Sequence, residues 1–273
     1  MTEPRETRVR ENVAVFTFGG GEMTTSWGAN CTAIGGREAT LLVDPLIAPA
    51  HARAVGDAVA ERFAAPVRWV VLTHHHTDHA LGASWFARKG ATVVSHEQCR
   101  RGIETFHPGL IAERRRDRAL AGLFADAECV PPALTFSDEI GIDLGGVRAR
   151  VFHPGHGHTA GDAAVHVPEE SVVVCGDLVS NGYHVNFEDA SLSGFVAGLE
   201  RLRALGAATY VPGHGAPGGR EIVEAQEAYL AAIRELAREG GTEADLVERI
   251  RGAFPGFLLG MVLPDTARRF REG

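Results

Sequence analysis

Short apolar runs rich in Val, Ile and Leu recur along the chain, and each is stopped by a turn or by text with helical spacing. Residues 13–18 and 31–34 form two such runs around a Gly-rich stretch, 19–28, and read as a hairpin with a long tip. Thr40–Val43 reads as a strand ending at Asp44, and residues 50–63 carry helical spacing. Val67–Leu72 is a further strand, 80–88 a short helix and 92–95 another strand. From 97 to 127 the text is helical and charged, and it interrupts the strand rhythm. Strands follow at 135–136, 140–144, 147–152, 163–167 and 172–175, then a helix over 192–205 and a strand at 209–211. The end is helical over 220–238 and again around 243–251. Strands dominate both halves with helices interspersed. That pattern predicts an α/β protein with two sheets face to face and helices outside, without choosing among α/β layer folds.

Composition narrows the class. The chain has 273 residues, 45% of them hydrophobic and 23% charged, as expected of a globular protein with a full core. This length fits one α/β domain over 1–273, with a helical insertion around 97–127 and a helical tail at 220–252. The formal net charge is −8, and the dense basic cluster is Arg114, Arg115, Arg116 and Arg118. An acidic balance argues against a polynucleotide partner. Residues 1–11 are polar and lack the apolar core of a signal peptide, and no run reaches the length of a membrane span. The expectation is a cytoplasmic protein with no membrane partner, acting on a small molecule. Cys31, Cys99, Cys129 and Cys175 are far apart, form no CxxC pair and read as free thiols.

The chemistry sits where strands end. Val67–Leu72 runs into Thr73-His74-His75-His76-Thr77-Asp78-His79, four histidines and a carboxylate within six residues. The strand at 147–152 leads to Gly155-His156-Gly157-His158-Thr159. The strand at 172–175 leads to Gly176-Asp177, and that at 209–211 to Pro212-Gly213-His214-Gly215. Loops at strand ends on one sheet edge are where α/β folds build sites. Imidazole together with carboxylate selects a divalent ion such as zinc. In an extended segment His74 and His76 point to one side and His75 to the other, so His74 and His76 are read as ligands of one metal. Asp78 and His79 sit at the turn into the next helix and can serve a second. Asp177, with two oxygens, suits a bridge between ions about 3.5–4 Å apart.

This set resembles the metallo-β-lactamase superfamily. The hallmark HxHxDH is seen as His74-x-His76-x-Asp78-His79, followed in order by Gly157-His158-Thr159-x-Gly161-Asp162, Cys175-Gly176-Asp177 and Gly213-His214-Gly215. The resemblance implies a four-layer αββα sandwich with two zinc ions at the edge between the sheets, iron or manganese being alternatives. It implies that His74, His76 and His158 hold one ion, that Asp78, His79 and His214 hold the other, and that Asp177 bridges. Asp177 stands where one lactamase subclass has a cysteine, which points away from β-lactams as substrate. The last helices show no glutathione-binding pattern like that of glyoxalase II.

Other residues are read in two ways. His156 competes with His158 as the third ligand, and the motif favours His158. His75 reads as a neighbour of the metals or an exposed residue, and His153 as structural or part of a pocket wall. Asp44 either orients a ligand histidine through its second ring nitrogen or is an ordinary turn aspartate. Asp162 reads as holding its loop, Cys175 as core, and His51, His96, His107 and His166 as surface or packing residues. Trp27, Tyr183 and His184 are candidate pocket residues, the 19–27 loop a candidate flap. The Arg114–Arg118 cluster reads as a solvated helix face or an anion-binding patch.

The function expected is a dinuclear zinc hydrolase of a small ester, thioester, lactone or lactam. Hydroxide held between the metals would attack the carbonyl carbon, with Asp78 as the catalytic residue that orients it and relays a proton. Two alternatives share the scaffold: an iron-dependent oxidoreductase of the sulfur dioxygenase type, and a nuclease.

Overall fold

The computed structural model describes residues 3–272. One sheet has strands in chain order: β1 (Arg5–Arg8), β2 (Val13–Thr17), β3 (Cys31–Gly35), β4 (Thr40–Val43), β5 (Val67–Leu72), β6 (Thr92–His96) and β7 (Leu134–Phe136). It is antiparallel from β1 to β4 and parallel from β4 to β7. The second sheet contains β8 (Glu139–Asp143), β9 (Arg148–Phe152), β10 (Ala164–Val167), β11 (Val172–Ser180) and β12 (Thr209–His214), in the order β12-β11-β10-β9-β8. Within it only β11 and β12 run parallel.

Side-chain alternation explains the layers. Val13, Val15, Leu41, Val43 and Val71 face the second sheet, where they meet Val151, Val165, Val174 and Val211. The intervening residues Ala14, Phe16, Leu42, Val70 and Leu72 point the other way. They are covered by α1 (Pro49–Arg62), α3 (Ala83–Arg88) and the start of α4 (Glu97–Arg116) through Val55, Phe86 and Ile103. Strands covered on both faces read as continuous apolar runs rather than alternating ones. On the outer face of the second sheet, Val173, Cys175 and Tyr210 pack under α6 (Leu192–Ala204) and α7 (Arg220–Arg238), through Phe195, Leu199, Val223 and Ile233. The result is the expected αββα sandwich.

The structure departs from the pattern in several places. Arg5–Arg8 forms an edge strand on β2 although every residue in it is exposed, so no burial signal marked it. The helix expected over 80–88 is split into α2 (Thr77–Ala80) and α3. Gly82 lies at the break, donates its N–H to the Leu46 carbonyl, and has its α-carbon so close to Pro45 that a β-carbon would meet the carbonyl oxygen at 1.9 Å. The 97–127 segment is α4, continuous through Pro108, followed by the short α5 (Ala121–Phe124). The tail does not stop at 252: beyond α8 (Glu243–Ala253) comes α9 (Leu263–Glu272), which buries Leu263, Ala267 and Phe270 against the outer core. Among the described residues no helix is long and apolar enough to cross a membrane, and all four cysteines are free thiols.

Phe195 is fully buried, with its ring centroid 5.3 Å from that of Phe187. Phe195→Ala is expected to destabilise the metal-free protein by about 3–5 kcal/mol. Urea unfolding measures this, and a loss below about 1 kcal/mol would contradict the packing described.

Candidate metal centre

Strand ends and the irregular middle of β11 build the site: the strand expected to stop at 175 continues to Ser180, so Asp177 lies inside it, where the register with β12 shifts. β5 stops at Leu72, and the 73–76 turn carries the chain into α2. Asp44, at the end of the parallel neighbour β4, fixes that turn: its carboxylate accepts the Thr73 N–H at 2.8 Å and the Thr73 hydroxyl at 2.6 Å. The same carboxylate lies 2.9 Å from His79 Nδ1, which leaves His79 Nε2 facing the site. Asp44 holds a left-handed backbone, φ +58°. A non-glycine residue kept there is strained, and strain of this kind gathers at functional sites. Of its two readings, the geometry is that of a residue orienting a histidine.

His74, His76, His158 and Asp177 converge into one group, and Asp78, His79 and His214 into another. In the first, His158 Nε2 lies 2.9 Å from His76 Nδ1 and 3.5 Å from Asp177 Oδ2. In the second, His79 Nε2 and His214 Nε2 are 3.3 Å apart, and Asp78 Oδ2 is 3.5 Å from the former and 3.3 Å from the latter. Asp177 reaches both groups, with Oδ1 3.2 Å from His79 Nε2 and Oδ2 3.4 Å from His214 Nε2. Zinc–nitrogen and zinc–oxygen bonds of about 2.0–2.1 Å in a tetrahedron put neighbouring donors about 3.3 Å apart. The spacings on this edge therefore fit donors arranged around cations. His74 Nε2 and Asp177 Oδ1 are also buried and have no hydrogen-bond partner among the described residues, a costly state that a cation relieves.

Backbone and neighbours hold the remaining donors. Asp162 accepts the N–H groups of Gly157, His158 and Thr159, at 3.2, 2.6 and 2.8 Å, and so pins the loop that presents His158. His214 Nδ1 lies 3.1 Å from the Trp27 carbonyl, and His74 Nδ1 2.9 Å from the Thr73 hydroxyl. Gly213 leaves room for the shared carboxylate, since a β-carbon there would sit 1.8 Å from Asp177 Oδ1.

The two groups differ in charge. Burial lowers His74 well below the usual imidazole range and takes His158 down to about 3, helped by neighbouring imidazoles. Both stand neutral, as ligation requires. Burial also opposes charge at His214, but Asp177 and Asp78 outweigh it and push this imidazole up to about 9. His79 rises for the same reason. Asp177, despite burial, is held well below the usual carboxylate range by His79 and His214.

His75 is not part of the group formed by His74, His76, His158 and Asp177. Its ring stacks on Phe106 at 5.5 Å and lies 4.9 Å from that of His76. His156 stays off the cluster, its Nε2 2.8 Å from the Asp189 carbonyl, and His153 stacks on His96 at 4.1 Å. A cavity of about 690 Å³ opens over Asp78, Asp177 and His214, with Trp27 and His184 in its wall. Tyr183 is not in that wall: its hydroxyl donates to the Gly20 carbonyl at 2.9 Å, and its ring lies 5.4 Å from that of His214. Arg114 lines the cavity, whereas Arg115 donates to the carbonyls of Phe124, Ala125 and Ala127.

Three contributors had no clear sequence signal. Asp189 Oδ2 lies 3.2 Å from His76 Nε2 and 3.5 Å from His75 Nε2, yet it follows no strand. Buried His107 places Nε2 2.6 Å from the His75 carbonyl, across the insertion, rather than merely packing. Ser26 donates to the Asp78 carbonyl at 3.0 Å from within the Gly-rich loop.

Residues 24–214 match the model of the metallo-beta-lactamase superfamily, and the chain belongs to that superfamily. It is 28% identical over 185 residues to a 2,4-dinitroanisole O-demethylase subunit alpha from Nocardioides sp. (strain JS1661), covering 67% of this chain and 51% of the relative. This chain thus spans about half of that relative's length. A hydroxyacylglutathione hydrolase from Acidiphilium cryptum (strain JF-5) is 32% identical over 193 residues, 63% of this chain and 75% of the relative. In three dimensions the chain is similar to a metallo-beta-lactamase from Pontibacter korlensis, with TM-score 0.67 and 22% identity over 84% of this chain and 99% of that one.

Asp44→Asn keeps the shape but removes the charge that faces His79. Metal affinity is expected to fall about 10–100-fold, as for other partners that orient a ligand histidine. Competition with a chromophoric chelator measures it, and unchanged affinity would contradict the orienting role.

Proposed function

We propose that this chain is a dinuclear zinc hydrolase of a small carbonyl compound: an ester, thioester, lactone or lactam. His74, His76 and His158 would hold one ion, Asp78, His79 and His214 the other, with Asp177 shared. The observation that carries this reading is the spacing of Asp177, its two oxygens 3.2–3.5 Å from imidazole nitrogens of both groups. When bound, zinc supplies a Lewis acid and lowers the pKa of water to about 7, so a nucleophile exists at neutral pH.

The chain's own residues do the rest. Asp78 has one oxygen near His79 and His214 and borders the cavity, so its carboxylate faces both the ligand sphere and the entering substrate. It is placed to accept the proton of the attacking water and return it to the leaving group. Water oxygen bonds to the carbonyl carbon, the carbon–heteroatom bond breaks, and the heteroatom leaves with a proton. Asp44, Asp162 and the Trp27 carbonyl keep donors oriented while this happens. The Nocardioides relative is described as acting on 2,4-dinitroanisole, and that compound belongs in the substrate panel beside esters, thioesters, lactones and a cephalosporin.

Elemental analysis of the purified protein, with chelation and reconstitution, tests the assignment. The expected result is two zinc ions per chain, loss of activity on chelation and recovery with zinc. His76→Ala and Asp177→Ala are each expected to lose metal and at least about 10³-fold in kcat/KM together. Full turnover by a metal-free Asp177→Ala protein would refute the reading. Iron as the tightly held metal, with oxygen consumed, would replace it with an oxidoreductase.

A further inference from the structure

Phe106, Leu258 and Met261 are the large apolar side chains left exposed among the described residues, at 50%, 40% and 56%. They are not scattered. Phe106 and Met261 both line the mouth of the cavity over the candidate metal centre, and Leu258 adjoins Leu259, which lines it as well. Trp27, Leu110 and Val262 line the same cavity as Asp78, Asp177 and His214. Exposed apolar surface gathered at one concave place marks a binding site rather than ordinary surface.

That wall is held in place. Phe106 stands on α4, which is fixed to the donor loop by His107 on the His75 carbonyl and by the stack of Phe106 on His75. The opposite rim is tied to the strand end at 182–184, where His184 N–H donates to the Leu258 carbonyl at 2.9 Å and Leu258 N–H to the Gly182 carbonyl at 3.1 Å. Trp27 and Leu259 both line the cavity and both hold left-handed backbones, φ +49° and +61°. Two strained non-glycine residues on one cavity are a mark of a shaped site.

Its charge is one-sided. Asp78, Glu113, Asp177, Glu188 and Asp189 line the cavity against a single guanidinium, Arg114, and Glu113 already lies 3.6 Å from that guanidinium. Two metal ions would neutralise Asp78 and Asp177 but leave the rim acidic. At the rim an anionic substituent meets Glu113, Glu188 and Asp189 against Arg114 alone.

We propose that the substrate carries an uncharged apolar arm, an acyl chain or aryl group, that lies along Phe106, Leu110, Leu259 and Met261 while its carbonyl reaches the metals. This deepens the hydrolytic reading and rests on it. The arm's path is continuous with the donor cluster, which distinguishes it from a surface for a second copy of the chain.

Two measurements test the arm separately from the chemistry. The first is independent of metal and turnover: 1-octanol is titrated into the metal-free protein and followed by amide NMR. Saturable shifts confined to residues 105–114 and 259–262 are expected, and Phe106→Ser with Met261→Ser should weaken them at least fivefold. The second uses the zinc-loaded protein with p-nitrophenyl acetate, butyrate, hexanoate and octanoate, and with the p-nitrophenyl half-ester of glutarate as the anionic match. kcat/KM is expected to rise by up to about fourfold per CH2 that becomes buried. The glutarate half-ester should fall below butyrate by about tenfold or more. The double variant should reduce the octanoate-to-acetate ratio about tenfold.

A flat chain-length series with the esters turned over would overturn the apolar arm and leave the hydrolase standing. Octanol shifts at the funnel without turnover of any ester or lactone would sink the hydrolase and keep the apolar site. Absence of octanol shifts, with self-association abolished by Met261→Ser, would reassign the rim to a contact between copies and overturn the proposal.

Discussion

The constraint on which the site depends is the burial of carboxylates and imidazoles together at one sheet edge. Asp177 is buried, yet its two oxygens sit among His79, His158 and His214. Taking a carboxylate out of water is costly unless opposite charge or hydrogen bonds compensate. In this chain the compensation comes from imidazoles: Asp177 and Asp78 raise the proton affinity of His79 and His214, whereas burial lowers that of His74 and His158. The donor cluster is therefore a place where a cation replaces protons, and the rest of the fold supports that arrangement. Asp44 ties β4 to the donor turn, Asp162 shapes the loop after β9, and Gly213 gives the shared carboxylate its space.

The fold was legible where burial leaves a repeating mark. β2 to β6 and β10 to β12 are mostly apolar and bounded by turn residues, β9 alternates exposed Arg148 and Arg150 with buried Ala149 and Val151, and the sandwich that the superfamily resemblance implied matches the two packed sheets. What escaped had physical reasons. β1 is held by backbone pairing alone, so its exposed residues carry no pattern. α9 buries only Leu263, Thr266, Ala267 and Phe270 in a sequence otherwise full of arginine and acid, too short a stripe to stand out. The α2–α3 break comes from a tertiary approach of Gly82 to Pro45 that no local rule contains.

The candidate site was readable because the donors cluster in short motifs at strand ends. The seven expected donors lie together, His74, His76, His158 and Asp177 in one candidate group and Asp78, His79 and His214 in another. Residues acting through the donors were readable where they ended a strand, as Asp44 does, or lay within a ligand motif, as Asp162 does, whereas Asp189, His107 and Ser26 reach the centre through loops and a helix. Alternation set His75 apart from His74 and His76, and it lies outside both donor groups, stacked on Phe106. Tyr183 and His184 are adjacent in sequence but diverge in space: His184 enters the cavity wall, and Tyr183 turns to hold the Gly-rich loop.

Zinc-edge X-ray absorption on the reconstituted protein reads the shared carboxylate site itself. The shared Asp177 predicts a nitrogen and oxygen shell at about 2.0–2.1 Å, no sulfur ligand, and a metal–metal vector at about 3.5–4 Å. A sulfur contribution, or a fully loaded protein with no metal–metal vector in that range, would contradict it.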